Sequence, residues 1–488
     1  MVRMSGLSGL ALYVPKSRVR LKDWCEWTGQ AWPKIEKVVG DAFRVRAEHE
    51  SVYTMAANAV LRLIDQYGID PQRVGCLALG TESSTDNSAG AVIVKGMVDE
   101  ALERSGRPGL SRQCEVPEFK HACLGGMYAL KAALRFAQTE PDRVAIVVAA
   151  DIAEYARGSS GEQTQGAGAV AMLVEAEPKL VEIDLRSAGS SSRYRAIDFR
   201  KPVARHIIDA AAAGTESSWH DYPVFNGRYS THCYLNTVCD AVSAMLEVRG
   251  DTSGQILDDV AAILMHRPYD YMPIQALSMI ALNRLLASDG GQQRLADLAG
   301  SAGADAEKVR AELSNPPDLF SLVQEHGLDV DPNPETSKVL KQFRNSPGFK
   351  KMVEDKMFLG RTLMRQMGNL YAAALPAWIG AALEEAYVRQ VRLGERPLLA
   401  IGYGSGDAAE AWPMRVVKDW REAAARLHFE DSLQGAQDLD QASYETAHDG
   451  VGVPGLEPQQ GEFIVERVGD RTEPSFQDVG IEYYRYVA

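Results

Sequence analysis

The sequence predicts a layered α/β protein, and three observations support that prediction. Short apolar segments recur that are typical of strands buried on both faces of a sheet. Between them lie segments whose apolar residues return at helical spacing. The same alternation of strand-like and helix-like segments returns after residue 250. Helices that alternate with buried strands favour layered α/β architecture.

The clearest alternation lies in residues 1–178, which we predict to form an N-terminal half. Its first helical segment, SVYTMAANAVLRLIDQYGI, ends at Gly68, and glycine is a common helix terminator. The predicted helices are residues 51–69 and a segment that opens at Cys123, and the predicted strands are residues 73–80, 143–151 and 166–177.

Residues 179–488 repeat this pattern and are predicted to form a C-terminal half. Residues 258–268 predict a strand that runs into a turn, residues 369–388 an apolar helix, and residues 396–406 a strand that ends in glycines. Two halves of similar pattern indicate an internal duplication, although no residue-level repeat at a fixed period is visible.

Two segments of the second half do not fit this alternation. Residues 287–350 are polar, helix-prone and punctuated by NPP and PNP, so we predict an insertion on the scaffold. The tail, about 430–488, has few apolar runs and ends in IEYYRYVA, which predicts a late strand. Dimer, partner and carrier-protein surfaces all remain open as roles for these segments.

Composition excludes several classes of function. The formal net charge of −14 argues against nucleic acid and anionic membrane surfaces as partners, because both attract basic proteins. Six cysteines without a C-x-x-C pair fit neither a disulfide framework nor a zinc ribbon. We expect no metal site and a cytoplasmic protein, since no signal peptide and no apolar run of about 18 residues are present.

Cys123 is the first candidate for chemistry. It stands at the predicted start of a helix in HACLGGMYAL, where the helix dipole stabilises a thiolate and lowers the thiol pKa. Gly125 and Gly126 behind it would let a thioester approach closely. The alternative is a small buried core residue, which is the commoner role of a free cysteine.

Two titratable residues follow predicted strands. Glu82 lies in the loop after residues 73–80, and His266 comes just past the apolar run ILM. Sites in α/β proteins collect at strand ends, so Glu82 is a candidate general base and His266 a candidate partner for Cys123. The alternatives are a solvated loop acid and a structural histidine.

Two further elements of the second half are candidates for substrate binding. Asn369 follows a glycine at a predicted helix start, as an ordinary N-cap or as an amide aimed at a substrate carbonyl. Gly404 and Ser405 belong to a glycine-rich strand end, where the backbone N–H of Ser405 would help to form an oxyanion hole. The alternative for this segment is a tight turn.

Taken in order, these elements resemble the 3-hydroxy-3-methylglutaryl-CoA synthase family of the thiolase superfamily. The resemblance covers about residues 10 to 410. It rests on the segments LYVP, GTESSTDNSAG, HACLGG, VVAADIAEYARGSSGEQTQGAGAVAML, DFRKP, YPVFNGRYS, MHRPY, MGNLYAAALP and GYGSG. It implies a thiolase-like five-layered αβαβα fold of two similar halves, usually dimeric, that condenses acetyl-CoA with acetoacetyl-CoA and needs no metal or redox cofactor.

The resemblance also implies roles for individual residues. Cys123 would carry the acetyl group as a thioester, Glu82 would remove a proton from the acetyl methyl, and His266 would hold the second substrate. Water would then free the product from the enzyme. The same resemblance assigns substrate binding to Tyr155, Thr164, Asn369, Gly404 and Ser405.

The chain also departs from the family pattern. Members commonly have a lysine shortly after HxPF or HxPY, whereas this chain has Asp270, Tyr271 and Met272, and Asn226 stands where VDG is usual. The first departure leaves open how CoA phosphates are held. Three alternatives to a synthase that acts on two CoA thioesters stay open. They are a β-branching relative that acts on acyl carrier protein substrates, a non-catalytic thiolase-like scaffold, and an enzyme that performs a ketoacyl synthase-like condensation.

Overall fold

The computed structural model describes residues 4–201, 203, 222–224, 226–251, 253–288, 290–394, 396–450 and 452–488. Pro202 and Phe225, which belong to two of the quoted segments, lie outside these described residues. The strands are β1 Gly6–Tyr13, β2 Ser17–Arg20, β3 Ala42–Arg44, β4 Val74–Gly80, β5 Glu118–Phe119, β6 Val144–Ala153, β7 Gly166–Glu175, β8 Val181–Ile183, β9 Gly189–Ser192, β10 Ala262–Met265, β11 Leu398–Gly404, β12 Ala408–Val416, β13 Gln437–Asp438, β14 Glu462–Val468, β15 Thr472–Glu473, β16 Phe476–Gln477 and β17 Glu482–Val487.

Helices surround these strands, and short 3-10 turns lie at Pro71–Arg73, Glu162–Thr164, Leu185–Ser187 and Tyr371–Ala373. The helices are α1 Leu21–Thr28, α2 Trp32–Val38, α3 Val52–Tyr67, α4 Gly90–Arg104, α5 Gly125–Thr139, α6 Gly227–Arg249, α7 Gln255–Asp259, α8 Met272–Ala287, α9 Gly291–Ser301, α10 Ala306–Ser314, α11 Leu319–His326, α12 Pro334–Asn345, α13 Pro347–Lys356, α14 Arg361–Met364, α15 Ala374–Val388, α16 Trp420–Ala424, α17 Phe429–Leu433 and α18 Gln441–Asp449.

The main sheet has ten strands in the order β10-β11-β12-β8-β1-β7-β6-β4-β5, with β9 paired to β12. One structural unit occurs twice in it. In the first half β4 is followed, after α4 and β5, by α5, then by β6 parallel to β4 and β7 antiparallel to β6. In the second half β10 is followed later by α15, then by β11 parallel to β10 and β12 antiparallel to β11. This repeated unit is the structural form of the duplication that the sequence indicates.

The helices and the two halves of the sheet stack in five layers, where one half-sheet holds β1 and β4 to β7 and the other holds β8 to β12. Helix α3 packs on β1, β6 and β7 from the outside, and α5 packs on β4 and β6 from the inside. Helix α15 packs on β10 and β11 and also reaches β1 and β7, so α5 and α15 lie between the two half-sheets. Helix α6 covers β9, β11 and β12 on the far side. This is the thiolase-like arrangement that the resemblance implies.

Burial on both faces explains why the strands are almost wholly apolar. Along β6, Ala145 and Val147 belong to the core around α5, whereas Ile146 and Val148 belong to the core around α3. Successive side chains of a strand point to opposite faces, so both faces must be apolar where helices cover both.

The two segments outside the repeated unit are ordered elements. The predicted insertion contains helices α9 to α12 and reaches the start of α13. In the tail, β14 lies against α3, where the Phe463 N–H donates to Asn58 Oδ1 at 2.7 Å. The predicted late strand is β17, which pairs antiparallel with β14. None of the helices in the described ranges has the length and apolar character to cross a membrane.

Three predicted boundaries differ from the structure. The helix expected to open at Cys123 begins two residues later, at Gly125, and the helix expected from Asn369 begins at Ala374 after a 3-10 turn. The strand expected over residues 258–268 is only β10, because the short helix α7 occupies its first residues. In the two helices, buried residues continue into the flanking turn, Cys123 and Leu124 before α5 and Leu370 and Tyr371 before α15.

Candidate active site

The repeated unit brings four candidate residues together. Glu82 follows β4, and His266 follows β10, which is the corresponding strand of the second half. Cys123 precedes α5, and Asn369 precedes the turn that opens α15, the corresponding helix. Strand carboxyl ends and the N-termini of the crossover helices meet at one edge of such a sheet. Duplication therefore supplies two equivalent half-sites that face each other.

A cavity of about 520 Å³ opens at this edge. Cys123, Tyr155, Thr164, His266, Asn369 and Ser405 all line it, so six of the eight predicted site residues share one space. Glu82 touches Cys123 from the side, and Gly404 lies next to Ser405. The remaining lining residues are Lys34, Val38, Val39, Ser160, Gly161, Gln163, Phe199, Gly227, Arg228, Ser230, Thr231, Tyr234, Pro268, Tyr269, Met272 and Tyr403.

Cys123 and Glu82 form the centre of the site. The Cys123 thiol donates to Glu82 Oε2 at 3.3 Å, and the cysteine is only 7% exposed. Close glycine packing makes this approach possible, because a Cβ on Gly80 would lie 2.5 Å from the Cα of Gly126. Helix α5 thereby lies directly on the end of β4, from which Glu82 extends.

The two glycines after Cys123 serve this packing. A Cβ on Gly125 would lie 2.9 Å from the Phe119 carbonyl oxygen, and one on Gly126 would lie 2.5 Å from the Ala372 carbonyl oxygen. Real Cβ atoms essentially never come that close to backbone atoms. The protein's own backbone packing therefore requires these glycines, and the close approach of a thioester that the sequence suggested stays a prediction.

The expected thiolate is another correction. Burial raises the pKa of the Cys123 thiol well above its ordinary value, and the nearby carboxylates of Glu82 and Asp151 raise that pKa further. Burial also raises the pKa of Glu82, with Asp151 as the second cause. Burial and the charges of these two carboxyl groups outweigh the dipole of α5. The resting cysteine is therefore a thiol whose proton is directed at Glu82.

Asp151 organises this centre, and the sequence reading missed it. Its Oδ1 accepts hydrogen bonds from the Glu82 N–H at 2.8 Å, the Ser83 N–H at 2.9 Å and the Thr81 hydroxyl at 2.8 Å. Its Oδ2 accepts from the Ala372 N–H at 2.8 Å. A fully buried carboxylate thus fixes the backbone on both sides of Cys123. The available signal was an acid at the end of an apolar strand, in VVAAD.

Aromatic side chains enclose the sulfur. Tyr155, Phe199 and Tyr371 meet pairwise edge to face, with ring centroids 5.8 to 6.2 Å apart, and form one apolar cluster with Cys123. Phe199 and Tyr371 were not singled out from the sequence. Both have positive φ, 52° and 45°, and Ala122 beside the cysteine has 42°. Such backbone is costly for residues with a Cβ and concentrates at functional sites.

His266 is buried and neutral. Its backbone N–H donates to the Ile401 carbonyl oxygen at 2.8 Å, which ties the end of β10 to β11. Burial lowers the pKa of the imidazole to about 3, and the neighbouring Arg267 cation is the second cause. Among the described residues neither ring nitrogen has a hydrogen-bond partner. A neutral imidazole presents one donor and one acceptor, so it suits a neutral carbonyl ligand.

Asp270, one of the departures from the family pattern, holds the loop behind His266. Its Oδ2 accepts from Arg361 at 2.6 Å and from Arg365 at 2.8 Å, and its Oδ1 accepts from Arg267 at 3.1 Å. Three guanidinium groups keep the pKa of this buried carboxyl below its ordinary value despite burial. The residue therefore fixes the loop after His266 and does not face the cavity opening as a free charge.

Asn369 both closes a turn and lines the cavity. Its Oδ1 accepts from the Tyr371 N–H at 2.9 Å, at the start of the 3-10 turn before α15. This bond makes an Asx turn and not the N-cap that the sequence suggested, since the N-cap residues of the 3-10 turn and of α15 are Leu370 and Ala373. A contact between the side-chain amide and substrate stays a prediction. Thr164 lines the same wall, and its carbonyl oxygen accepts from the Asn369 N–H at 3.2 Å.

The glycine-rich strand end lies against the cysteine loop. A Cβ on Gly404 would lie within 3 Å of the His121 carbonyl oxygen and the Leu124 nitrogen, so only glycine fits there. The buried Asp198 holds the turn, because its Oδ2 accepts from the Tyr403 hydroxyl at 2.9 Å and from the Gly406 N–H at 3.2 Å. Ser405 thereby reaches the cavity, and its oxyanion role stays a prediction.

A group behind this turn has the spacing of metal ligands. The ligand atoms of Asp198, Cys233 and Asp407 lie within 4.8 Å of one another, and all three residues are buried. The Arg195 guanidinium already supplies positive charge there, since its Nε lies 3.6 Å from Asp407 Oδ1. A buried cation beside the two carboxylates makes this group a charge network rather than a favourable site for a second cation.

The fold defines the class first: a thiolase-like enzyme of the acyltransferase type, with a buried thiol–carboxylate pair at its candidate site. The family follows from two family models. The description "Hydroxymethylglutaryl-coenzyme A synthase N terminal" matches residues 2–179, and the corresponding "C terminal" description matches residues 217–449. The chain belongs to the hydroxymethylglutaryl-CoA synthase family, which confirms the resemblance drawn from the sequence.

Individual relatives agree with this assignment. A hydroxymethylglutaryl-CoA synthase of Haloferax volcanii is 25% identical over 404 residues, covering 82% of this chain and 81% of the relative. Hydroxymethylglutaryl-CoA synthase A of Dictyostelium discoideum is 26% identical over 435 residues, covering 88% and 79%. A solved structure of MvaS in complex with 3-hydroxy-3-methylglutaryl coenzyme A has a TM-score of 0.74 at 24% identity and covers both chains fully.

Proposed function

We propose that the protein is a hydroxymethylglutaryl-CoA synthase, which condenses acetyl-CoA with acetoacetyl-CoA and water to give HMG-CoA and free CoA. One observation supports this more than any other. The Cys123 thiol points at Glu82 Oε2 at 3.3 Å, beside a cavity lined by the neutral, buried His266. A nucleophile, a carboxylate base and a carbonyl-binding imidazole are the three groups that such a condensation requires.

In the first step Cys123 takes the acetyl group. The sulfur attacks the thioester carbon of acetyl-CoA while the thiol proton passes to Glu82, to which it is already hydrogen-bonded. Collapse of the tetrahedral intermediate expels CoA, whose sulfur takes that proton from Glu82. The raised pKa of Glu82 suits this exchange, because a carboxyl titrating closer to neutral pH can both accept and return a proton.

In the second step the acetyl methyl becomes the nucleophile. Glu82 removes a methyl proton from acetyl-Cys123, and the enolate carbon attacks the ketone carbon of acetoacetyl-CoA. His266 donates a hydrogen bond to the ketone oxygen, and Glu82 returns its proton to the alkoxide that forms. Water then hydrolyses the Cys123 thioester, which releases HMG-CoA as a free carboxylate and restores the thiol. The backbone N–H groups of Cys123 and Ser405 are the proposed donors to the thioester oxyanion.

The cavity suits an elongated thioester. Lys34 and Arg228 line it and supply positive charge for phosphate groups, while Tyr155, Phe199 and Tyr371 form an apolar wall around the acyl site. All proton transfers in this scheme use protein groups, so we expect no metal or redox cofactor. We further propose a homodimer in the cytoplasm that acts in the mevalonate route to isoprenoids.

An acyl carrier protein is the second candidate for the substrate carrier. The structure of the curacin biosynthetic HMG synthase in complex with holo donor-ACP has a TM-score of 0.69 at 18% identity and covers 99% of this chain. At this identity the likeness shows a shared fold and does not identify the substrate carrier of this chain. The net charge of −14 disfavours this candidate, because carrier proteins are usually acidic and like charges oppose docking.

An end-point assay with purified protein tests the proposal. Acetyl-CoA and acetoacetyl-CoA are supplied together, and the loss of the acetoacetyl enolate absorbance is followed beside the release of free CoA. We expect one CoA released for each acetoacetyl group consumed. Acetylation of Cys123 without condensation would move the proposal to a carrier-bound acceptor, and the absence of both would refute it.

A further inference from the structure

Helix α18 lies in the tail, about residues 430–488, and packs against a loop that lines the active site. The loop runs from Tyr155 to Gln165 and carries five cavity-lining residues: Tyr155, Ser160, Gly161, Gln163 and Thr164. Four side chains of α18 contact it. Glu445 and Asp449 pair with Arg157 at the surface, and the two buried ones are Tyr444, which is 3% exposed, and His448, whose side chain is 8% exposed. No step of the proposed mechanism uses either of them.

His448 and Gln165 bind both backbone polar groups of Tyr155. His448 Nε2 lies 2.7 Å from the Tyr155 carbonyl oxygen and 3.2 Å from Gln165 Oε1. Both of these atoms are acceptors, so Nε2 carries the hydrogen. Gln165 Oε1 also accepts from the Tyr155 N–H at 3.1 Å. The backbone of Tyr155 is therefore fixed by side chains that lie behind the cavity wall.

Tyr444 extends the same network to a buried acid. It accepts from Gln165 Nε2 at 2.9 Å and donates to Glu162 Oε1 at 2.7 Å. The Trp24 indole donates to that same carboxylate oxygen at 3.0 Å, and Glu162 Oε2 accepts from the Gly158 N–H at 2.6 Å. A satisfied buried network of this kind holds one arrangement, because leaving any of its polar groups unpaired is costly.

The front of the loop touches the reacting groups. The Tyr155 ring forms one apolar cluster with Cys123, and the Asn369 N–H donates to the carbonyl oxygens of Thr164 and Gln165 at 3.2 and 3.3 Å. A displacement of the loop would therefore move the wall around the sulfur and the turn at Asn369 together.

We propose that Tyr444 and His448 are positioning residues of the active site: acting through Gln165 and Tyr155, they hold the wall against which acyl-Cys123 reacts. This inference rests on the proposed function, since the wall matters only if Cys123 carries an acyl group. Helix α18 of the tail would thus support catalysis without touching the substrate.

Four variants test the proposal. Tyr444→Phe removes the hydroxyl and leaves the ring, which packs on Trp27 and Phe43. His448→Leu removes the donor, whereas His448→Gln can present an amide N–H near the place of Nε2. Gln441→Ala, on the exposed side of the same helix, is the matched control. Turnover is normalised to the amount of Cys123 that becomes acetylated, so unfolded protein does not count.

We expect His448→Leu and Tyr444→Phe to lower kcat about tenfold while the KM for acetoacetyl-CoA changes little, because a sub-ångström misplacement of reacting groups acts on the chemical step. His448→Gln should recover most of the loss, and Gln441→Ala should match the wild type. Normal kcat per acetylated site in both His448→Leu and Tyr444→Phe would overturn the proposal.

A second readout does not depend on the proposed reaction. The rate at which iodoacetamide alkylates Cys123, mapped by peptide mass, should rise in His448→Leu and Tyr444→Phe because the wall over the sulfur loosens. If the wild type neither acetylates nor condenses, the proposed function fails, and these alkylation rates still decide the positioning claim. Rates equal to those of Gln441→Ala would refute it.

Discussion

The glycine packing under the active site predicts the effect of one methyl group. In Gly126→Ala the new Cβ would lie 2.5 Å from the Ala372 carbonyl oxygen, where ordinary contact begins at 3.4 Å. Helix α5 and the turn before α15 must therefore separate by roughly 0.9 Å. Overpacking of this kind costs about 1–3 kcal/mol, against a gain of about 1 kcal/mol for alanine in a helix. We expect a net loss of stability of about 0–2 kcal/mol.

The effect on activity should be larger than the effect on stability. Cys123 precedes α5, and Tyr371 belongs to the opposing turn, so either response to the added methyl moves a wall of the site. A shift near 1 Å can lower the rate about a hundredfold. Steady-state kinetics gives kcat/KM, and urea unfolding gives the change in stability.

Gly96→Ala is the matched control for this prediction. Gly96 lies in α4, is exposed, and has no heavy atom within 4 Å of its would-be Cβ. There the helix propensity gain of about 1 kcal/mol should appear without a loss of activity. The reasoning is refuted if Gly126→Ala keeps the wild-type kcat/KM, or if Gly96→Ala loses as much activity as Gly126→Ala.

The remaining predictions concern the reacting groups. Glu82→Gln should still become acetylated, more slowly, but should not condense, and HMG-CoA formed at a normal rate by this variant would remove Glu82 as the base. Condensation needs the Glu82 carboxylate, and the pKa of Glu82 is raised, so kcat should rise with pH on the acid side of its profile. Asp151→Asn removes a neighbouring negative charge and so lowers the pKa of Glu82. In this variant the acid limb of the kcat profile should therefore move to lower pH. A limb that stays in place or moves to higher pH would contradict the charge argument. His266→Ala should raise the KM for acetoacetyl-CoA while Cys123 acetylation stays near normal, and unchanged saturation by acetoacetyl-CoA would count against its role.

Much of the fold was predictable because its strands are buried on both faces. The continuous apolar runs predicted β4, β6, β7 and β11 to within a few residues. Helix boundaries failed where core burial continues beyond the element, as before α15, where Asn369 and Tyr371 lie in an Asx turn. Only the strand pairing shows that β4–α5–β6 and β10–α15–β11 are the same unit, because the two halves share topology without visible sequence repetition.

The candidate site was predictable where a chemically reactive residue type lies at the end of a predicted strand or helix. Cys123, Glu82 and His266 stand at strand or helix ends, and six of the eight predicted residues line one cavity. Asp151 and Tyr371 were missed because their importance lies in contacts across the chain, such as the bond from the Ala372 N–H to Asp151. The direction of the thiol pKa was also wrong, since spacing shows the helix N-terminus but neither the burial nor the facing carboxylates.

Acetylation of Cys123 is the most direct test of the central claim. Wild-type protein is incubated with acetyl-CoA alone, quenched in acid and mapped by peptide mass. A parallel sample is freed of unreacted acetyl-CoA by rapid gel filtration before acetoacetyl-CoA is added. We predict one acetyl group on the peptide that carries Cys123, lost when acetoacetyl-CoA is added, and no label in Cys123→Ala. An acetyl group on another cysteine, or label that persists while HMG-CoA forms, would contradict the account.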